Sequence, residues 1–248
     1  MRIVAWNCAK AFHNKIDRLL TLQPDVAVIS ECAAPEVLDR KCRLPEFSAP
    51  PVWHGDHPNW GVGVFFFNGW AGRRHQQFDH NLKLLLPVEV TKPRCFNLLA
   101  VWAFTYGLRK AQRGPLNEGA EFYRQFLTKE DAVLAGDLNH NVIWDKDGWA
   151  GNFRASLNTL DDYCLVSAYH AAKSEAQGKE TTPTIYWKKR RKDGDTYHID
   201  YIFVPCTWTK RTFNLQIGRY DDWVAPGTGM NGKGLSDHVP VILDTGDG

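Results

Sequence analysis

The chain has 248 residues, 44% of them hydrophobic, so it can bury a large core and fits a single domain spanning 1–248. Its net charge of +2 is too small to indicate nucleic-acid binding by itself. No hydrophobic run approaches the roughly 18 to 20 residues that cross a bilayer, and the first residues lack the pattern of a signal peptide. We therefore expect a cytoplasmic protein with no membrane partner. Disulfide bonds are not indicated, because no Cys-x-x-Cys spacing occurs among the cysteines.

Hydrophobic runs of strand length recur along the chain, each bounded by Gly, Pro, Asn or Asp. They predict strands at 2–6, 26–30, 62–67, 84–90, 96–104, 132–136, 200–204 and 239–243. Helical spacing appears between them in three groups: Ile16, Leu19 and Leu20; Phe122, Phe126 and Leu127; and Phe153, Leu157 and Leu160. Strands mixed with helices, without strict alternation, favour two packed sheets with helices outside.

Polar residues stand at the ends of several predicted strands. In chain order they are Asn7, Glu31, Asp137, Asn139, Asp200, Asp237 and His238. Carboxylates, carboxamides and an imidazole brought together are the groups that support metal-assisted attack on a phosphate. Buried carboxylates also need partners, which favours a shared cluster over isolated positions.

These residues, in this order, resemble the endonuclease/exonuclease/phosphatase family, which includes pancreatic-type deoxyribonucleases and apurinic-site endonucleases. The segments 136–139 and 234–241 carry most of the resemblance. Each motif alone is short enough to occur by chance, but five of them in order on strand-like segments are specific. The resemblance spans residues 3 to about 243. It implies an α/β fold, a four-layer αββα sandwich of two mixed β-sheets flanked by helices, with the active site at one edge of the paired sheets.

The resemblance also implies how the residues would share the work of the site. Glu31 would be the main ligand of a Mg²⁺ or Mn²⁺ ion, with Asp237 on the metal side of the cluster. Asn7 would orient Glu31 or hold a phosphate oxygen. Asp137 would align the attacking water and accept its proton.

Two further roles follow from the same resemblance. Asn139 would point to the side of Asp137 if the strand continues, and its amide would donate to the charge developing on the phosphoryl group. His238 would contact the scissile phosphate, and Asp200 would hold its imidazole in one tautomer.

Two positions depart from the family pattern. Where several members carry an acidic residue two positions after the first Asn, this chain has Ala9, which favours one-metal chemistry or a site completed by substrate. Where many members carry a His or Tyr that contacts the phosphate, the best match here is Trp102, which cannot titrate. Either that contact is dispensable or Tyr106 or Arg109 replaces it.

Basic and aromatic residues suggest where a polymer would bind. Tyr186 and Trp187 precede a run of five bases at 188–192, and Tyr197 follows it, which combines groups for phosphate neutralisation and base stacking. The substrate-binding residues we expect are Lys188, Lys189, Arg190, Arg191, Arg109, Trp144 and Asn141. Alternatively, the run is a solvated hairpin tip and Trp144 is a lid on the core.

The sequence therefore predicts a Mg²⁺-dependent phosphodiesterase, most simply a nuclease, with nucleic acid as its partner. The prediction favours DNA over RNA and a monomeric protein. Two alternatives stay open: a phosphatase or phosphodiesterase acting on a small phosphoester, and a catalytically weak nucleic-acid-binding relative. Metal-dependent turnover separates an enzyme from a binder.

Overall fold

Two six-stranded β-sheets form the framework of the chain. The structure is a computed structural model that describes residues 1–82, 84–104, 109–129, 131–187, 191–210, 213–229 and 232–246. The first sheet contains, in spatial order, β13 (Phe213–Ile217), β14 (Val241–Thr245), β1 (Arg2–Asn7), β2 (Val26–Cys32), β4 (Trp60–Phe66) and β3 (Ala49–His57). The second contains β5 (Ala71–Arg74), β6 (Leu85–Lys92), β7 (Phe96–Trp102), β8 (Ala132–Asp137), β12 (Asp200–Pro205) and β9 (Leu165–Ser167).

Both sheets are mixed. The pairs β1–β2 and β7–β8 are parallel, whereas β1 pairs antiparallel with β14 and β8 pairs antiparallel with β12. A separate two-stranded sheet joins β10 (Ile185–Tyr186) to β11 (Thr196–Tyr197). The helices are α1 (Ile16–Leu20), α2 (Pro35–Lys41), α3 (Pro115–Phe122), α4 (Arg124–Leu127), α5 (Phe153–Asp162), α6 (Ala168–Lys173) and α7 (Tyr220–Trp223). Short 3₁₀ turns lie at Phe12–Asn14, Val142–Trp144 and Trp208–Lys210.

Three hydrophobic clusters hold these elements as four layers. The central cluster lies between the two sheets and receives Ile3 and Ala5 from β1. The neighbouring residues Val4 and Trp6 face the other way, into a cluster with the α1 and α2 side of the first sheet. A third cluster packs α3, α4 and α5 against the second sheet. A strand buried on both faces must be hydrophobic at successive positions, which explains the unbroken runs in the sequence. The predicted αββα sandwich is confirmed.

The second predicted helical group is wrong at one position. Phe122 is 51% exposed, whereas Phe126 and Leu127 are buried. The helix breaks between α3 and α4 at Tyr123, whose backbone leaves the helical region, so the periodicity loses its phase there. Tyr123 is buried in the place that Phe122 was expected to take.

Among the described residues, none of the helices is both long and hydrophobic enough to cross a bilayer.

Candidate active site

Polar strand ends from both sheets meet at one edge of the sandwich. In the first sheet, Asn7 at the end of β1 pairs in register with Ser30 of β2. In the second, Asp137 at the end of β8 lies opposite Asp200 at the start of β12. The two sheets meet near this edge, where the Ser30 hydroxyl donates a hydrogen bond to the Val101 carbonyl at 3.3 Å. The polar residues singled out from the sequence therefore share one location.

Glu31 occupies an irregular position within β2. The strand continues to Cys32, and the pairing with β4 shifts register between Ser30 and Cys32. Glu31 itself has a φ of 56°, in the left-handed region that non-glycine residues seldom adopt. Ser30 and Cys32 are fully buried, while Glu31 is half-buried. The bulge thus turns this one carboxylate out of the core and toward the edge of the sheet.

Asn7 connects the carboxylates of the two sheets. Its Nδ2 donates to Oδ2 of Asp137 at 2.8 Å and to Oε1 of Glu31 at 3.2 Å. Its Oδ1 accepts a hydrogen bond from the backbone N–H of Ala9 at 2.9 Å, which fixes the orientation of the amide. An aspartate at this position would add a third negative charge, so a carboxamide is the group that two adjacent carboxylates require.

Asp137 is buried and held by three donors. Its Oδ1 accepts from the backbone N–H of Asn139 at 2.9 Å, and its Oδ2 accepts from the side-chain amides of Asn139 and Asn7. Asn139 has a φ of 48°, so the chain turns after Asp137 and the amide folds back instead of continuing an extended strand. Burial and the charge of Asp200 raise the pKa of Asp137 to about 7, against the opposing effects of His238 and the amide donors.

Gly136 allows the close approach of β7 and β8 next to Asp137. Its φ is 139°, and a Cβ atom there would lie 2.0 Å from the carbonyl oxygen of Val101. A side chain at this position would displace the backbone beside Asp137. The Gly-Asp order of the motif therefore has a steric reason.

His238 and Asp200 form a buried pair. The Nδ1 atom of His238 lies 2.8 Å from Oδ2 of Asp200, which assigns a proton to Nδ1. Burial alone would lower the pKa of His238, but the charge and hydrogen bond of Asp200, together with Asp137 and Asp237, outweigh it and raise the pKa to about 10. The imidazole is therefore a cation at neutral pH, with its Nε2–H as a second donor.

Two contacts join the segment around His238 to β1, and a third lies within the segment itself. The Ser236 hydroxyl donates to the carbonyl of Asn7 at 2.7 Å and accepts from the backbone N–H of His238 at 3.1 Å. The indole N–H of Trp6 donates to the carbonyl of His238 at 3.1 Å. The serine before the Asp-His pair thus positions the imidazole relative to Asn7.

The donor atoms present suit a divalent cation. Carboxylate oxygens of Asp137 and Asp200 and a ring nitrogen of His238 all lie within 4.8 Å of one another, and the protonated imidazole leaves the two carboxylates as the ligands of this group. Asp200 Oδ1 is buried and has no hydrogen-bond partner among the described residues, and an oxygen in that state is stabilised by a cation. Burial and the charge of Asp200 raise the pKa of Asp137 and so favour its protonated form. A nearby positive charge would lower that pKa and favour the carboxylate. The residues therefore fit a hard metal ion.

Glu31 and Asp237, two of the expected ligands, do not belong to that group of three. Glu31 reaches the cluster through Asn7. Asp237 is half-buried, its backbone carbonyl accepts from the N–H of Tyr186 at 2.8 Å, and its charge helps to raise the pKa of His238. The structure thus places both carboxylates around the cluster, while Asp200, which was predicted to hold His238, also belongs to the group of possible ligands.

The predicted substrate-binding residues have different surroundings. Lys188, Lys189 and Arg190, like Tyr106, lie outside the described residues. Arg191 is exposed and donates to Asp193 at 2.8 Å through its Nε. Arg109 is exposed after the end of β7.

The aromatic and amide residues of the rim are more buried. Trp144 is half-buried, with its ring centroid 4.9 Å from that of Tyr197. Asn141 is buried, and its amide donates to the His198 carbonyl, the Tyr201 hydroxyl and Glu180. Asn141 therefore supports the segments behind the rim instead of lying open on it.

Thr184 is a residue of this region that the sequence did not reveal. Its hydroxyl oxygen accepts from the backbone N–H groups of Ile199 and Asp200, both at 3.0 Å. It is fully buried and fixes the start of β12, where Asp200 stands. A single threonine within an irregular segment carries no sequence signal of this role.

Solved structures resemble the chain over almost its whole length. A 3'-5' exonuclease (NExo) from Neisseria meningitidis is 16% identical, with a TM-score of 0.66 and 99% of both chains covered. An AP endonuclease from Archaeoglobus fulgidus is 15% identical, with a TM-score of 0.67 and 100% of both chains covered. TDP2 from D. rerio, complexed with a single-strand DNA product, is 14% identical, with a TM-score of 0.63 and 99% of both chains covered. The chain has the fold of the endonuclease/exonuclease/phosphatase family. No protein-family model and no curated protein sequence matches it.

Proposed function

We propose that this protein is a divalent-metal-dependent phosphodiesterase that hydrolyses nucleic acid. One observation carries the proposal: the buried Asp200–His238 pair adjoins Asp137 within a group whose ligand atoms all lie within 4.8 Å. A structural core has no need for two buried carboxylates and a cationic imidazole in one place, because each is destabilised by removal from water. A site for phosphoryl chemistry requires such groups.

The metal is proposed to be Mg²⁺ or Mn²⁺. Asp137, Asp200 and Glu31 offer the carboxylate oxygens that such hard cations prefer, and Asn7 and Asp237 lie around them. When bound, the ion would polarise the phosphoryl oxygens and offset their negative charge.

The remaining roles belong to side chains of the chain itself. Asp137 accepts the proton of the attacking water, and Asn139 and Asn7 fix the direction of its oxygens through their N–H donors. His238 is cationic at neutral pH and donates from Nε2 to the phosphoryl oxygen on which charge develops. Asp200 holds the ring in place through Nδ1. Asn139 is thereby assigned to positioning Asp137, since its amide faces that carboxylate.

Nucleic acid is the proposed substrate for two reasons. The sequence between Tyr186 and Tyr197 interleaves aromatic residues with five consecutive bases, the combination that follows a phosphate backbone and stacks on bases. The similar structures are described as an exonuclease, an AP endonuclease and a protein bound to a single-strand DNA product. DNA is favoured over RNA because one of the similar structures is complexed with a single-strand DNA product.

The test is cleavage by the purified protein of supercoiled plasmid and of labelled single-stranded DNA and RNA, with Mg²⁺, Mn²⁺ or EDTA. We expect metal-dependent cleavage that Glu31→Gln abolishes and that the exposed control Glu36→Gln retains. Titration calorimetry with Mn²⁺ should show weaker binding in Glu31→Gln and Asp137→Asn, which reports on the metal without turnover. Cleavage that persists in EDTA would refute the proposal. Inactivity on every polymer would indicate that the substrate is a small phosphoester instead of nucleic acid.

A further inference from the structure

A pocket of about 650 Å³ has Glu31 on its lining and extends from there past residues to which the proposed chemistry gives no role. Its walls are mainly hydrophobic and aromatic, from Trp60 at the start of β4, Trp102 at the end of β7 and Phe104 just after it. Leu84 and Pro115 also line it, together with the charged residues Lys10 and Asp56. A volume of this size and such walls are typical of small-ligand sites, which place a few polar groups around an apolar interior.

Two aromatic side chains of the pocket are unusually open. Trp60 is 41% exposed and Phe104 is 39% exposed, and they are two of the four large hydrophobic side chains that stand out as exposed among the described residues. Both line the same pocket, although Trp60 begins β4 of the first sheet and Phe104 follows the end of β7 in the second. Neighbouring exposed aromatic groups in one concave surface are typical of a binding site, whereas single exposed ones are ordinary.

Trp102 joins this pocket to the candidate active site. It pairs in register with Asp137 across β7 and β8, and its ring packs edge-to-face on Phe104 with centroids 4.7 Å apart. The indole Nε1 is buried and has no hydrogen-bond partner among the described residues. Buried tryptophans usually hydrogen-bond through the indole N–H, and Trp102 does not. We therefore attribute its place here to the packing surface that the ring offers.

Charge at the rim favours one kind of occupant. The ammonium group of Lys10 lies over the Trp60 ring, 4.2 Å from its centroid, and so places a positive charge at the mouth of the pocket. Glu31 lies on the same lining, next to the carboxylates of the site. A group in this pocket is therefore a short distance from a phosphate at the site, and a long acyl chain is disfavoured by charged side chains on the lining.

We propose that this pocket binds an unpaired nucleobase of a nucleotide adjoining the scissile phosphate. The base would lie against Trp60, Trp102 and Phe104 while Lys10 faces the sugar-phosphate chain as it leaves. A base within a duplex is covered by its neighbours and must first be unpaired, so single-stranded nucleic acid or an extruded base is the preferred substrate. This inference rests on the proposed function for the identity of the polymer.

The decisive test is binding in EDTA, where no turnover is needed. The probes are a fluorescent oligothymidylate of about 15 nucleotides and an equally long strand of abasic sugar-phosphate residues, which presents the same charge without bases. We expect the wild-type protein to bind the oligothymidylate more tightly than the abasic strand by fluorescence anisotropy. In the Trp60→Ala/Phe104→Ala protein, affinity for the oligothymidylate should fall at least about fivefold and affinity for the abasic strand should not change.

The matched control is Phe122→Ala, which removes a comparably exposed aromatic ring from α3, away from the pocket lining. It should leave both affinities within twofold of wild type, about the scatter expected for a neutral surface change. Equal wild-type affinity for the two probes, or an equal loss for both in the double variant, would overturn the inference.

A cleavage assay separates this inference from the proposed function. On DNA that the wild type cuts, the double variant should lose kcat/KM on a single strand at least about fivefold more than on the same sequence in a duplex. A wild-type protein that cleaves nothing but shows the base-dependent binding would end the proposed nuclease function and support the pocket. A nuclease whose Trp60→Ala/Phe104→Ala variant binds and cleaves as wild type does would support the proposed function and overturn the inference about the pocket.

Discussion

The Nδ1 atom of His238 and the Oδ2 atom of Asp200 lie 2.8 Å apart, although the two residues are 38 positions apart in the sequence. Each partner is fixed from behind by a hydroxyl group. The Ser236 hydroxyl accepts the backbone N–H of His238, and the Thr184 hydroxyl accepts that of Asp200. The imidazole therefore cannot rotate without breaking a buried ionic hydrogen bond, and its Nε2 keeps one direction.

Replacing Asp200 by Asn tests the charge of this pair while keeping its shape. Without the carboxylate, burial is no longer outweighed and the pKa of His238 should fall, which removes its positive charge near neutral pH. We expect kcat on the cleaved nucleic acid to drop by about 100-fold or more, with a much smaller change in KM. The control is Asp193→Asn, at the exposed partner of Arg191, which should stay within twofold of wild type. Equal kcat in Asp200→Asn and wild type would contradict the assigned role.

Thr184→Val tests the support behind Asp200. The change keeps the volume of the side chain but leaves the N–H groups of Ile199 and Asp200 without an acceptor. The free energy of unfolding should fall by about 1 to 3 kcal/mol, measured by urea denaturation. Thr21→Val serves as the comparison, because the Thr21 hydroxyl is exposed and bonds a carbonyl that water can reach. A loss no larger than that of Thr21→Val would show that Thr184 is not needed to hold Asp200.

Glu180 predicts a pH dependence of stability on the acidic side. Burial would raise the pKa of its carboxyl, but hydrogen bonds from His170, Gly178 and Asn141 outweigh it and lower the pKa to about 2. A carboxyl with a depressed pKa stabilises the fold above its unfolded pKa, and this contribution is lost as pH falls toward the folded value. Between about pH 5 and pH 3, the free energy of unfolding of wild type should fall by about 2 kcal/mol more than that of Glu180→Gln.

Urea titrations at several pH values measure that difference. The control is Glu36→Gln, at an exposed glutamate of α2, whose pH dependence should parallel wild type. Parallel curves for wild type and Glu180→Gln would contradict the prediction.

The run of bases predicts how binding depends on salt. Arg191 forms an ion pair with Asp193, and the Nζ atom of Lys192 lies 3.4 Å from Oδ2 of Asp221. Arg191 and Lys192 therefore each have an acidic partner already. Serine at Lys188, Lys189 and Arg190 removes three positive charges and should flatten the salt dependence of single-stranded DNA binding, whereas serine at Arg191 and Lys192 removes charges that acidic neighbours already offset. Each lost phosphate contact should lower the slope of log affinity against log salt by about 0.7. A salt slope unchanged in the triple variant would refute contact between this run and the backbone.

The strands of the fold were predictable because both sheets are buried on two faces, whereas the four-layer arrangement followed from the family resemblance and not from periodicity. Residues such as Val4, Ala5 and Trp6 are hydrophobic in succession, and this pattern can be recognised in the sequence without knowing which strands lie next to them. Strand β3 was missed because Pro50 and Pro51 are poor strand formers away from an edge, and β3 is the edge strand of its sheet.

The geometry within the site was not predictable from spacing. The left-handed backbone of Glu31 and Asn139 arises from a register shift and a turn, and both override the alternation of an extended strand. The unpartnered Asp200 Oδ1 and the pocket around Trp60 and Phe104 depend on contacts between distant elements. Local sequence carries the identity of each side chain but not which side chains from the other sheet will face it.

The contacts from Trp6 to His238 and from Ser236 to Asn7 also bear on what a piece of this chain could do. They join strand β1 to the segment before β14, across 232 and 229 positions of sequence. A fragment that lacks either segment therefore cannot reproduce the surroundings of Asn7 and His238, which makes the candidate site a property of the whole fold.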